Sequence, residues 1–327
     1  MRNLEKESEF YNKEFSFSYS SLNKLLFSPS LFYKDYVLFD REQKIEKYLI
    51  EGKLVHCILF EPDEVENKFS LVPGKTPSDN IRKVLLDMSF NTDAETLAIC
   101  DDHIILDSLK NLNLFQSLKA DESRIAKVRT EDNEPYWKFL GNTNVDVIDQ
   151  DTLNKCTEYV QVIKANADVM ELFRSSGSDF DLDPVTSYAE KMLSCKLKDK
   201  PFGLKGIVDY YKIDDDKKLI TICDLKTTGK TLTDFEETVD FYKYWLQAAI
   251  YCKLVFENVT EEQQQYNFIY KFVVIDKFKQ VYVFDVSQDT LSNWTSALSE
   301  IVKIAEYHYT KKNYSLPYEF LIKKVTL

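Results

Sequence analysis

GIVDYYKIDDDKKLITICDLKTT, residues 206–228, is the stretch of this chain that decides the fold. Apolar and β-branched residues fill the runs 204–213 and 219–226, and this pattern predicts two strands. The run 214–218 between them, Asp-Asp-Asp-Lys-Lys, is polar and predicts a turn. The three pieces together predict a hairpin, in which the two strands are neighbours.

Two acids and a lysine stand on these predicted strands. Side chains alternate across a strand, so Asp224 and Lys226 project from the same face. If the strands pair, Asp209 can lie beside Asp224. Phosphodiester hydrolysis with magnesium requires acids that hold a hard cation and a nearby cation that positions or deprotonates the attacking water. An Asp224–Lys226 salt bridge at a strand end is the alternative, and these residues alone leave both interpretations open.

A largely apolar segment follows, FYKYWLQAAIYCKLVF at 241–256, and predicts a buried helix over 234–256. Tyr244, Gln247 and Tyr251 are spaced i, i+3 and i+7, so they share one stripe of that helix. A glutamine inside so apolar a helix needs a hydrogen-bonding partner. It is either a core residue bonded to backbone or part of a stripe that faces the acids and contacts a substrate or the lysine.

Gly-x-Val-Asp, Asp-x-Lys-Thr-Thr and Tyr-x-x-Gln-Ala-Ala-x-Tyr, in this order, resemble the PD-(D/E)xK nuclease superfamily. The resemblance is closest to its phage and prophage exonuclease VIII-like branch, which is related to lambda-type exonucleases. Residues 18–22 resemble the opening helix of that branch, and 51–62 resemble its histidine helix. Residues 188–190 match the acidic position on the strand before the hairpin. The resemblance covers 16–62 and 185–290.

The resemblance implies a role for each matched residue. The implied metal ligands are His56, Glu190, Asp209, Asp224 and the main-chain oxygen of Leu225. The implied catalytic residues are Asp209, Asp224, Gln247 and Lys226, the last orienting or activating the water. The implied substrate-binding residues are Tyr244, Gln247, Tyr251, Thr227 and Thr228. A lone histidine in an apolar run is more often a satisfied core residue, so both interpretations stay open for His56.

The expected cofactor is Mg²⁺, or Mn²⁺ in its place. The six cysteines are far apart, the closest pair being 28 residues apart, and no CxxC is present. This spacing argues against a zinc ribbon. Some members of the superfamily hold an iron–sulfur cluster on closely spaced cysteines, and we expect no iron–sulfur cluster here.

Composition predicts an ordinary globular chain of one large or two smaller domains, with 327 residues, 44% of them hydrophobic and 29% charged. No apolar run approaches a membrane span and the start carries no apolar signal region, so we expect a cytoplasmic protein in a bacterial host cell. The net charge of −12 argues against coating DNA through a broad basic surface. A local basic groove could still bind DNA, and the lysines of 191–205 are the candidates for it. The alternative interpretation of these lysines is that they cover a solvated strand edge.

The order of elements predicts an α/β fold with a mixed central sheet of about five strands flanked by helices, a restriction-endonuclease-like core. The predicted strands are 185–197, 204–213, 219–226, 266–276 and 279–286. The expected domains are a mainly helical region, 1–180, which contributes the histidine helix to the core, and a nuclease core, 181–327. The breaker at 175–180 marks the boundary.

The function we expect is that of a magnesium-dependent deoxyribonuclease, an exonuclease on double-stranded DNA in phage-type recombination or replication. One alternative is an endonuclease that acts on branched or nicked DNA. Another is a noncatalytic DNA- or protein-binding member that kept the fold. The expected partners are DNA, a single-strand annealing protein and further copies of the chain, because relatives form rings around DNA; we expect no membrane contact.

Overall fold

The structure is a computed structural model that describes residues 10, 16–40, 46–141, 145–173 and 184–325. The chain divides into two compact units, residues 1–61 with 158–327, and residues 62–157. The first unit, which we call the sheet unit, contains every predicted site residue. The predicted boundary at 175–180 lies outside the described residues, so the division at residue 180 stays a prediction.

The sheet unit is built on one mixed sheet, as the sequence predicts. Its strands are β1 (Ser16–Phe17), β2 (Val185–Lys196), β3 (Gly203–Asp214), β4 (Leu219–Thr228), β5 (Asn267–Asp276) and β6 (Val281–Val286). Strand β3 pairs antiparallel with β2 on one edge and antiparallel with β4 on the other, where the two-residue β1 also pairs with it in parallel. Strands β4 and β5 are parallel, and β5 and β6 are antiparallel. The predicted sheet of about five strands is therefore confirmed, with β1 as a short addition.

Helices flank this sheet. The principal ones are α1 (Tyr19–Phe27), α2 (Lys47–Phe60), α3 (Phe235–Tyr242), α4 (Tyr244–Asn258) and α5 (Gln288–Lys311). Helix α4 is buried over most of its length and packs against β2 and β3, because apolar residues occupy nearly all of its faces. Helix α5 packs against α4, and α2 contacts β4. The positions of α2 and α4 determine which side chains meet at the end of β4.

Two helical segments are each broken in the structure. Helix α1 ends at Ser28, which caps a new short helix, because Pro29 cannot continue the first helix's hydrogen bonds. The helix predicted over 234–256 is interrupted at Lys243, whose left-handed backbone (φ 56°) separates α3 from α4. The second break has a consequence for the surface next to the site.

The predicted hairpin is confirmed as β3 and β4. The ladder between them runs from Asp214–Leu219 at the turn to Tyr210–Cys223. At the turn, the Asp214 carboxylate accepts a hydrogen bond from the backbone N–H of Lys217 at 2.9 Å. The same register, continued by one residue, places Asp209 opposite Asp224, as the sequence predicts.

The second unit, residues 62–157, is mainly helical. Its helices are Val65–Lys68, Asp79–Ser89, Asp102–Asn111, Asp121–Val128 and Glu134–Gly141, and Gln150–Ala165 begins in it. A two-stranded parallel sheet joins Phe69–Leu71 to Asp146–Ile148. The helix Asp102–Asn111 is followed by two residues with left-handed backbone, Asn113 and Phe115.

No helix in the described part of the chain is long and apolar enough to cross a membrane.

Candidate active site

Strands β3 and β4 separate where the two predicted acids stand, and the Asp209 side chain fills the gap. Beyond the Tyr210–Cys223 pair, the Asp209 Oδ2 atom accepts a hydrogen bond from the backbone N–H of Leu225 at 3.0 Å. The carboxylate thus takes a bond that a continued ladder would give to a carbonyl. This bond fixes one acid against the strand that carries the other.

Asp224 and Lys226 form the salt bridge that the sequence left as an alternative. The Lys226 Nζ lies 2.7 Å from Asp224 Oδ1, and the two side chains are 12% and 0% exposed. The other oxygen, Asp224 Oδ2, is buried and has no hydrogen-bond partner among the described residues. A buried, half-satisfied carboxylate is costly, so the pair carries a feature that a purely structural salt bridge does not need.

Gln247 links this ion pair to Asp209. Its side-chain oxygen accepts a hydrogen bond from Lys226 Nζ at 2.9 Å, and its Nε2 donates to the Tyr251 hydroxyl at 2.8 Å. That hydroxyl donates to Asp209 Oδ1 at 3.3 Å. Both ends of the amide therefore contact site residues, and the interpretation of a core glutamine bonded to backbone is wrong.

Gly206, in the quoted stretch, allows α4 to lie this close to β3. A Cβ atom at this position would lie 3.2 Å from Leu254 Cδ1 and 3.4 Å from Tyr251 Cε1. These distances are tighter than ordinary carbon contacts, so a larger residue would push the helix outward. The close approach brings the Tyr251 hydroxyl within reach of Asp209.

His56 reaches the acids from α2. Its Nδ1 lies 3.2 Å from Glu190 Oε1 and 3.7 Å from Asp209 Oδ2, and its Nε2 lies 2.9 Å from the Leu225 carbonyl oxygen. Both ring nitrogens thus contact polar groups of the predicted site, two of them carboxylates. Burial lowers the pKa of His56, but the carboxylates of Asp209 and Glu190 outweigh it and raise that pKa to about 9.

Glu190 occupies a strained position in β2. The ladder with β3 pairs Ala189 with Tyr210 and Lys191 with Val208, and skips Glu190 between them. The Glu190 backbone has φ 44°, in the left-handed region. Such strain typically costs about 1–3 kcal/mol and clusters at functional sites. With this backbone conformation the Glu190 carboxylate points toward His56. The side-chain alternation of a regular strand does not predict that direction.

The donor atoms fit a divalent cation. Among the described residues, ligand atoms of His56, Glu190 and Asp209 all lie within 4.8 Å of one another. Carboxylate oxygens suit hard cations such as Mg²⁺ and Mn²⁺, and imidazole accompanies them at several metal sites. Asp224 lies outside this group of three, but its unpartnered buried oxygen is an acceptor without a donor. The Leu225 carbonyl oxygen lies next to this group, since it is 2.9 Å from the Nε2 atom of His56.

The charges of the ion pair are set by their surroundings. Burial raises the pKa of Asp224, Lys226 opposes that effect, and the neighbouring carboxylate of Asp209 adds to it. Burial lowers the pKa of Lys226, but the carboxylates of Asp224 and Asp209 outweigh it and raise that pKa above its usual value. Lys226 is therefore a fixed cation in this arrangement.

The other predicted substrate residues lie around this cluster. Lys226 Nζ lies 4.6 Å from the centroid of the Tyr244 ring. Thr227 Oγ1 lies 3.5 Å from where a Cβ of Gly52 would be, so it faces α2. Thr228 accepts a hydrogen bond from the backbone N–H of Lys230 at 3.1 Å and serves the local turn.

Tyr19 is a neighbour of the site to which the sequence assigned no role. It begins α1 after a capping box formed by Ser18. Burial raises the pKa of its hydroxyl above the usual value, the charge of Lys226 opposes this, and Tyr244 and Asp224 add to it. The Tyr19 hydroxyl donates to the carbonyl oxygen of Tyr242, two residues before Tyr244, whose ring lies against Lys226. The opening motif contains it, but a tyrosine at a helix start carries no signal for a distant site.

The lysines of 191–205 are the sequence's candidates for a basic groove, and two of them are used within the fold. Lys205 is buried and donates to the carbonyl oxygen of Phe10 at 3.4 Å. Lys200 forms a salt bridge with Glu306 at 2.6 Å. The other three, Lys191, Lys196 and Lys198, are exposed, so a basic groove built from them stays a prediction.

Comparison with known proteins identifies the superfamily of the chain. A sequence model of the PD-(D/E)XK nuclease superfamily matches residues 16–314, and the chain belongs to that superfamily. A crystal structure from Eubacterium rectale, of a protein described provisionally as an exonuclease, is similar with a TM-score of 0.44 and 10% sequence identity. That similarity covers 91% of this chain and 82% of the other. Among curated proteins, none matches this chain.

Proposed function

We propose that this chain is a DNA nuclease that uses a divalent cation, with its active site at the end of β4. The observation that carries the proposal is the meeting of five separate elements on one cluster. It joins His56, Glu190 and Asp209 to the Asp224–Lys226 ion pair through short contacts. Membership of the nuclease superfamily supports the reaction class.

In this proposal each residue has one task. His56, Glu190, Asp209, Asp224 and the Leu225 carbonyl oxygen would hold the cation, which when bound would stabilise charge on the attacking and leaving oxygens. Lys226 would orient the water, because Asp224 and Gln247 already fix the direction of its N–H donors. Tyr251 would keep the Asp209 carboxylate in place.

The finer proposal is a magnesium-dependent exonuclease on double-stranded DNA, of the exonuclease VIII-like branch, in phage-type recombination or replication. Its support is the order and spacing of the motifs that resemble that branch. A further step of the proposal, which follows from the same resemblance, is that copies of the chain enclose DNA as a ring, which would keep a chain of net charge −12 on its substrate. A single-strand annealing protein as partner follows from the same resemblance.

Incubation of linear duplex DNA with the protein and Mg²⁺ or Mn²⁺ tests the activity. We expect short products from the wild type, none with a chelator, and none from Asp224→Asn. Asp214→Asn is the matched control, since Asp214 is also buried and lies on the same strand as Asp209 but at the turn. Equal digestion by Asp224→Asn and the wild type would refute the proposal.

Closed circular and branched DNA separate the exonuclease from the structure-selective endonuclease. An exonuclease leaves a closed circle intact, whereas the endonuclease alternative cuts a branched circle. Calorimetry addresses the noncatalytic alternative, because a metal site must bind Mg²⁺ or Mn²⁺ in the wild type and lose that binding in Asp224→Asn. A protein that binds neither ion supports the noncatalytic alternative.

A further inference from the structure

The break between α3 and α4 presents a row of aromatic rings that begins at the candidate active site. The Tyr244 ring lies against Lys226, whose Nζ is 4.6 Å from the ring centroid. Tyr242 stacks on Tyr244, with centroids 5.5 Å apart and planes inclined by 23°. Phe241 meets Tyr242 edge-on at 4.9 Å. We call these three rings, Tyr244, Tyr242 and Phe241, the aromatic row.

Exposure increases along the aromatic row. Tyr244 is half-buried, Tyr242 is 41% exposed and Phe241 is 72% exposed. A single exposed phenylalanine is ordinary on a protein surface. A continuous line of rings that leads from a buried lysine to solvent is a different feature, since each inner ring orders the next.

The aromatic row is held by contacts from outside its own helices. The Tyr242 carbonyl oxygen accepts hydrogen bonds from the Tyr19 hydroxyl and, at 3.4 Å, from Asn23 Nδ2. Both donors belong to α1, and they anchor the backbone beside the left-handed residue Lys243. The exposed rings therefore project from a fixed support, which reduces the entropy lost when a ligand stacks on them.

We infer that the aromatic row is a stacking track for unpaired nucleotides, which leads one strand of the substrate to or from the active site. The inference rests on the proposed function, because the track is continuous with the lysine of the nuclease site. Every base has an aromatic face, and stacking on protein rings contributes about 1–3 kcal/mol per base without regard to sequence. The substrate class is thus DNA with a single-stranded tail or a frayed end, rather than a fully paired duplex alone.

The charges near the aromatic row favour bases over phosphates as its ligands. Helix α3 carries exposed acids, Glu236, Glu237 and Asp240, which would repel a phosphate backbone laid along it. Lysines stand at the two ends, with Lys230 Nζ 5.8 Å from the Phe241 centroid and Lys226 at the inner end. From Lys226 Nζ to the outermost ring there are three steps, of 4.6, 5.5 and 4.9 Å, and at about 3.4 Å per nucleotide the track holds no more than about four nucleotides.

Binding without hydrolysis tests the track. The probes are a blunt duplex and the same duplex with a four-nucleotide tail containing 2-aminopurine, in a chelating buffer that prevents cleavage. The wild type should bind the tailed DNA more tightly and quench the 2-aminopurine fluorescence. Phe241→Ala should weaken binding of the tailed DNA by about 5- to 150-fold, the equivalent of one lost base stack. It should leave blunt-duplex binding unchanged, and Phe241→Trp should retain both properties.

Phe27→Ala is the matched control, because Phe27 is 74% exposed and lies at the end of α1 opposite Tyr19. The inference is overturned if Phe241→Ala binds tailed DNA as the wild type does, if Phe27→Ala loses as much, or if the wild type shows no preference for the tail. These results leave the nuclease proposal standing as long as Asp224→Asn abolishes digestion. Tail stacking in a protein with no metal-dependent digestion would instead overturn the nuclease proposal alone.

Discussion

The ion pair of Asp224 and Lys226 gives a prediction that separates the stability of the fold from the chemistry of the site. The two charged atoms are 2.7 Å apart, and the side chains are 0% and 12% exposed. Removal of one partner from such a pair leaves a buried charge and typically costs about 3–5 kcal/mol. Replacement of both partners removes both buried charges and is often close to neutral.

Lys226→Met should therefore destabilise the metal-free protein by about 3–5 kcal/mol, which corresponds to a fall in Tm of about 6–20 °C. Asp224→Asn should cost less, because Gln247 still accepts a hydrogen bond from the lysine. The double variant should be more stable than the sum of the single effects predicts, by about 3 kcal/mol. All three variants should lack nuclease activity, so recovered stability does not bring recovered function.

The assay is chemical denaturation in a chelating buffer, followed by tryptophan fluorescence and far-UV circular dichroism. Coincident transitions from the two probes would establish that one free energy of unfolding describes the variant. Additive effects of the two substitutions would refute the reasoning, because they would mean that the two charges do not depend on each other. Recovery of activity in the double variant would refute the assignment of these residues to the site.

Substitutions at three further positions test separate features of the sheet unit. Glu190→Gly should be more stable than Glu190→Ala by about 1 kcal/mol in denaturation, because glycine adopts φ 44° without strain; equal stabilities would contradict that strain. Gly52→Ala should raise stability by about 0.5–1 kcal/mol and keep activity, since its Cβ would lie at an ordinary 3.5 Å from Thr227, whereas Gly52→Leu should displace α2 and reduce activity. Buried His308 donates from Nδ1 to the Asn313 carbonyl at 2.6 Å, and burial lowers its pKa. Its neutral form is thus favoured by folding, so stability is full above the ordinary pKa of about 6.5 and falls as the pH drops below it. His308→Gln should flatten that fall in Tm, and an unchanged slope would assign the acid sensitivity to other groups.

The sequence was sufficient to predict the hairpin and the meeting of its acids. An antiparallel hairpin with a short polar turn leaves little freedom in register, so the sequence predicts that Asp209 can lie beside Asp224, and the observed register places it there. The spacing of Tyr244, Gln247 and Tyr251 likewise fixed a shared helix stripe. These inferences need only local periodicity, which a single sequence carries.

Features that depend on distant contacts could not be predicted. Lys243 adopts a left-handed backbone usually left to glycine, and its neighbour Tyr242 is held by Tyr19, 223 residues away in the chain. The strained backbone of Glu190 could not be predicted from the sequence either, since a glutamate within a strand pattern predicts a regular strand. In both places, tertiary contacts override the local preference of the residue.

The strained backbone and the close helix–strand contacts of the sheet unit lie where separate elements bring their side chains together at the site. His56, Glu190, Asp209, Asp224 and Gln247 come from five different elements, so no single helix or strand can set their distances. Three of these elements approach the cluster through a local adjustment. The absence of a side chain at Gly206 lets α4 lie close to β3, and the absence of one at Gly52 lets α2 lie close to Thr227. In β2, the left-handed backbone of Glu190 directs its side chain toward the cluster. Three carboxylates brought together in this way repel one another, and the two cationic side chains, Lys226 and His56, offset only part of that repulsion. A divalent cation would offset the remainder, which is why the arrangement is consistent with a metal-binding site and is hard to explain as a structural salt bridge alone.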